Sequence, residues 1–243
     1  IVEAGVVRSA VYRRWPTKNY YYADLLRALA GREYPGIAAS GEASIEQIIT
    51  LLHHHSDMLR TPDSRRALII ELCRLGAAEN FDTIINSKQW SVYLTITATL
   101  ASLPQNEDLQ SDLGHALTKS EQTFVEHMAT YYGTLAEVTD YRLRADLGGI
   151  NLQTVAQMAA AAIEGMMIDS LADKTVATKR FNADPFGTGA TNEWSMPAIA
   201  FTSIMMTFLE PKPDQCELTD EEIAARINIL NGLSITIAQN KGM

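Results

Sequence analysis

Arg8, Ser9, Tyr12, Arg13 and Lys18 carry the chemistry most easily read from this chain. They fall in the run Val6-Val7-Arg8-Ser9-Ala10-Val11-Tyr12-Arg13-Arg14-Trp15-Pro16-Thr17-Lys18. At helical spacing Val6, Val11 and Trp15 share one side, and Arg8, Ser9, Tyr12 and Arg13 face away from it. A guanidinium matches the O6 and N7 edge of guanine. A helix with an apolar back and an Arg/Ser/Tyr front suits the DNA major groove.

The neighbouring elements must hold that helix in place. Ala4-Gly5-Val6 reads as the turn of a helix-turn-helix, with Gly5 supplying a positive φ and Ala4 permitting close approach. Pro16 cannot continue a helix and pushes Trp15 toward extended geometry. Thr17 is a good N-cap for a helix to about Ala30, closed by Gly31. Lys18 then opposes the macrodipole of that helix. The conflict disappears if a phosphate docks at the helix start, facing both free N–H groups and the ammonium.

Ala4-Gly5-Val6, Val11-Tyr12, Trp15, Lys18 and Leu25-Leu26 resemble the end of the DNA-binding domain of TetR-family regulators. The register matches through Lys18, and the specific match covers about residues 1–30. The family usually has a small hydroxyl cap just after the turn, and this chain has Val7. The resemblance implies an all-α protein: a partial helix-turn-helix domain over residues 1–33, then a larger ligand-binding and dimerisation domain over 44–243. It implies that Arg8, Ser9, Ala10 and Arg13 face base edges, while Tyr12, Thr17, Lys18 and Arg14 hold phosphates. It also implies an effector pocket in the body, for which Trp90, Tyr93, Phe124, His127, Met128, Tyr131, Met158 and Met167 are the candidates. A helix-turn-helix core needs an earlier helix, so about 30 residues are expected ahead of Ile1.

Charge supports the same division. The chain carries −9 overall. Residues 1–32 hold six Lys/Arg against two Asp/Glu, or +4, which leaves −13 on the remainder. A basic tip on an acidic body is the footprint of a DNA reader whose body stays off the phosphates. Cys73 and Cys216 form no framework and read as free thiols of a reducing cytoplasm. No uninterrupted apolar run of ~18 residues occurs, so no membrane span is expected.

Further along, helical signals recur and strand signals are weak. Residues 34–41 read as a linker. Ser44 and Gln47 open a helix to about Arg60, Pro62 one toward Ala78, and Phe81 or Ser87 one to Leu103. A long helix follows from Asp108 to Tyr132 or beyond, and Leu147-Gly148-Gly149 breaks the chain. The helix from Asn151 or Leu152 to Ala172 has almost no polar face, so burial all round is expected. Asp173 to Trp194 reads as loop. Pro197 to Leu209 is a second apolar helix, ended by Pro211 and Pro213, and Thr219–Glu222 caps a last helix to about Gln239. The two apolar helices are expected to pair with their symmetry mates in a homodimer, a four-helix bundle eased by Ala159–Ala162 and Gly165.

Other candidate chemistry is sparse. His53-His54-His55 point about 100° apart in a helix and cannot converge on one metal ion. No Gly-rich phosphate loop, nucleophile elbow, HExxH or CxxC is present, so neither an enzyme nor a cofactor is expected. Glu164 is the odd carboxylate of the apolar helix, placed to bind ligand or to bond across the dimer. The expected partners are a double-stranded DNA operator, a small-molecule effector and a second copy of the chain, with no membrane. The alternative is a dimeric helical module that sequesters a ligand or protein without binding DNA.

Overall fold

The computed structural model describes residues 7–16, 20, 21, 24, 25, 28, 49–102 and 107–229. The Ala4-Gly5-Val6 turn, Thr17, Lys18, the Ser44 cap and the chain beyond 229 lie outside them. The protein is mostly helical, as the periodicity predicts. It forms two compact units. One comprises Ile1–Pro35 and Ser87–Thr123, the other Gly36–Asn86 and Phe124–Met243.

The first unit contains α1 (Arg8–Arg14), the helical residues 20, 21, 24, 25 and 28, α4 (Lys88–Ser102) and the first half of α5 (Glu107–Val138). Ser87 caps α4 by accepting from Trp90 N at 3.1 Å.

The second unit is built around α3 (Pro62–Ile85). Thr61 and Ser64 form a reciprocal capping box at its start, with Pro62 in the first turn. The sequence places the end of this helix at Ala78. It runs a further two turns because Ala77, Phe81 and Ile84 continue the buried stripe. The preceding helix, α2, is described over 49–54 and does not reach Arg60. It gives way to a 3₁₀ turn at Ser56–Leu59. Leu52, Leu59, Leu68, Leu72, Leu135, Val138, Leu218, Ile223 and Ile227 close one core between these segments, the end of α5 and α9 (220–229).

α6 (Leu152–Ala172) starts at Asn151, whose side chain accepts from Thr154 N at 2.9 Å. Its inner face is Val155, Ala156, Ala159, Ile163, Met167 and Ser170. It packs on α8 (Met196–Phe208), which Ser195 caps and which also packs on α3. Within the single chain burial is one-sided, with Ile168 and Leu171 exposed at 49% and 60%, so burial on every side would need a partner. By length and composition alone α6 could cross a membrane, the one such helix among the described residues, although a third of its most apolar window is buried in the protein. The sequence lacks the uninterrupted run because Gln157, Glu164 and Asp169 break it up.

The sequence also misses the strands. β1 (Tyr141–Leu143) pairs antiparallel with β4 (Leu209–Pro211), just where α8 ends. The expected loop after Asp173 holds a one-turn helix, α7 (Thr175–Thr178), and a hairpin of β2 (Arg180–Ala183) with β3 (Asn192–Ser195). The hairpin loop is organised by Asp184, which accepts from Thr188 N and Gly189 N at 2.8 Å each, with Gly187 and Gly189 at φ 64° and 83°.

Candidate functional site

In the first unit, α1 is seven residues long. Val7 takes the N-cap position in extended geometry and makes no side-chain bond, as a residue without a hydroxyl must. Trp15 ends the helix at φ −128°, ψ 85°, the geometry Pro16 imposes on its predecessor. No residue of α1 is buried. Arg8, Ser9, Tyr12, Arg13 and Arg14 are exposed, with Tyr12 at 65%, whereas Ala10, Val11 and Trp15 are half-buried. Arg8 and Tyr12, one turn apart, share an outward face as the spacing requires.

Asp24 is the residue that sequence reasoning missed here. Its carboxylate accepts from Trp15 Nε1 at 3.0 Å and meets Arg14 Nη2 at 3.2 Å. Trp15 also packs edge-on against Tyr21, with ring centroids 5.3 Å apart. The contact fixes the end of α1 against the following helical residues and partly neutralises Arg14. Arg8 and Arg13 make no ion pair among the described residues. A lone acid nine residues after a tryptophan in a basic stretch is the one signal the sequence offered.

The eight expected pocket residues divide between the two units. Trp90 and Tyr93 belong to the first, where their rings stack at 5.6 Å and Trp90 Nε1 is buried without a hydrogen-bond partner among the described residues. Phe124, His127, Met128, Tyr131, Met158 and Met167 belong to the second. Phe124 and Met167 are buried, Met128 and Met158 half-buried, and His127 exposed. Tyr131 packs on the core cluster with its hydroxyl sealed and without a hydrogen-bond partner among the described residues, and burial, then Tyr132, Cys73 and Glu79, push its ionisation far above the ordinary range.

None of the eight lines the cleft that the second unit does possess. That cleft, about 800 Å³, lies between α2 and α3, with Leu51, His54, Leu75, Ala78, Glu79 and Asp82 in its walls. His54 belongs to the triplet that helix geometry keeps from converging on one metal ion. Its place in the wall arises from tertiary packing of α2 on α3, which local periodicity does not reveal. Among the described residues no three His, Cys, Asp or Glu side chains are placed to hold a metal ion. Cys73 is buried, which pushes its thiol up to about 12, and Cys216 is an exposed free thiol.

No family model, curated protein or solved structure matches this chain.

Proposed function

We propose that the protein is a ligand-responsive transcriptional regulator of the TetR type. It acts in the cytoplasm as a homodimer, a repressor released from its operator by a small apolar or amphipathic effector. The observation that carries this reading is α1. A seven-residue helix presents Arg8, Ser9, Tyr12 and Arg13 to solvent while Val11 and Trp15 turn inward. On this reading Arg8, Ser9, Ala10 and Arg13 meet base edges, and Tyr12, Thr17 and Lys18 hold the backbone. Arg14, drawn to Asp24, contributes less. Pairing of the outer faces of α6 and α8 would set two such helices about 34 Å apart, one turn of DNA. An effector that binds better to another spacing would lower operator affinity by that difference.

Fluorescence anisotropy on operator and scrambled DNA tests the assignment. Arg8→Ala relaxes sequence preference, whereas Lys18→Ala weakens both DNAs and lowers the salt slope by about one. Equal effects of the two substitutions contradict it. A second reading, a helical module that only sequesters a ligand or protein, is favoured by uncapped Val7. Absence of any salt-sensitive DNA binding by the full-length protein would select it.

A further inference from the structure

Helix α1 has little of its own to hold it. It has seven residues, none of them buried, and no side-chain cap at Val7. Two turns of helix are marginal in isolation, so the direction of α1 depends on what grips its ends. At its C-terminal end two donors converge on one atom. Asp24 Oδ2 accepts from Trp15 Nε1 at 3.0 Å and meets Arg14 Nη2 at 3.2 Å. Tyr21 and Asp24 stand three apart in helical geometry, so they share a side, and both meet Trp15. The two contacts of Oδ2 differ in what they demand. The indole bond needs only an acceptor, which a neutral amide also offers. The guanidinium contact is ionic, with the Arg14 side chain 70% exposed and that of Asp24 35%. A pair this open to water shifts an equilibrium by about fivefold at most. It is weak enough for a DNA phosphate to compete for Arg14, and strong enough to weaken that contact on any sequence.

We infer that Asp24 is a positioning residue with two separable roles. Its oxygen aims α1 through Trp15, and its charge holds Arg14 back from phosphates and so damps sequence-independent binding. The inference rests on the DNA-binding reading and adds to it a residue whose charge makes binding weaker.

Fluorescence anisotropy of the full-length protein tests it, on a random-sequence duplex and on the duplex that the protein enriches from a random library. Asp24→Asn keeps the acceptor and removes the charge. It is expected to bind both duplexes about two- to fivefold more tightly at about 0.1 M salt, the gain fading as salt rises. In an Arg14→Ala background the same change is expected to lose most of that gain. Asp24→Ala removes the acceptor as well, so preference for the enriched duplex is expected to fall by about threefold more than in Asp24→Asn, with faster solvent exchange of the Trp15 indole N–H by NMR. Damage to the fold cannot tighten binding, so the Asn variant remains decisive even if the Ala variant melts early. An Asn variant that binds no tighter than the parent, or whose gain survives without Arg14, overturns the damping role. A Trp15 indole that exchanges equally in the parent and the Ala variant overturns the positioning role. A parent without salt-sensitive binding to the random duplex overturns the DNA-binding reading itself, and the inference with it.

Discussion

Asp140 ties together distant parts of the second unit. It is buried with φ 64°, a left-handed conformation that side chains rarely adopt. Its carboxylate meets Arg65 at 3.4 Å and Arg226 at 3.2 Å, and its carbonyl accepts from Lys212 N and Gln215 Nε2. Arg65 is fully buried, and burial lowers its pKa despite the carboxylate. Asp140→Ala therefore strands a buried cation and strains the backbone, a loss of about 3–5 kcal/mol in urea unfolding. Asp140→Gly removes the charge but not the conformation and should lose less, by about 1 kcal/mol. Glu164 acts in the opposite sense. Burial raises its carboxyl from an ordinary 4.5 to about 7. Across that window the folded chain holds a proton that the unfolded chain has released, so stability falls as pH rises from 4.5 to 7. Glu164→Gln is expected to stabilise the protein at pH 8 by on the order of 1–3 kcal/mol and to leave pH 4.5 unchanged, as thermal melts at the two pH values will show. The odd character of Glu164 was legible in the sequence, from a lone acid among alanines and methionines. Asp140 was not, because Arg65 and Arg226 reach it from 75 and 86 residues away.

Among the elements, helices announced themselves and strands did not. Asn151 before α6 and the reciprocal Thr219–Glu222 pair at the start of α9 satisfy N–H groups within three residues, and Pro197 in the first turn of α8 has no N–H to satisfy, so the signal is local. β1 and β4 pair across 68 residues, and each has only three residues, too short for an alternating pattern. The β2–β3 hairpin likewise has four-residue strands, and α3 holds it: Arg66 donates to Phe186 O at 2.8 Å and Arg74 to Glu193 O at 2.7 Å. Trp194, 2% exposed, completes the clamp, its Nε1 donating to Ala183 O and its ring lying under Arg74. Trp194→Ala is expected to cost about 3–5 kcal/mol and to raise amide exchange across the hairpin before the rest of the unit opens. Hydrogen-exchange mass spectrometry that finds uniform exchange would show that the hairpin is not a separable unit. Helix α1 was legible for the same reason as the caps, since its two faces and its Pro16 stop lie in one short run. The cleft was hidden because His54 and Glu79 come from different helices.

For the molecule as a whole, the proposed homodimer would form on the outer faces of α6 and α8. Ala161, Gly165, Ile168 and Leu171 are exposed on α6, and a side chain at Gly165 would meet nothing within 4 Å. On α8 the Ser203 and Thr207 hydroxyls donate to carbonyls one turn back, so they ask little of water. Ile168→Glu should leave the fold intact, convert a micromolar dimer to monomer by light scattering, and abolish operator binding. A monomeric parent protein would remove the dimer from the proposal. The Asp140 junction has a further consequence during synthesis. Arg65 also needs the Cys216 carbonyl, 151 residues downstream, and Arg226 needs those of Glu137 and Val138. The junction is therefore completed only once Cys216 and Arg226 have been synthesised, and a chain truncated ahead of Cys216 is expected to be cleared by proteolysis.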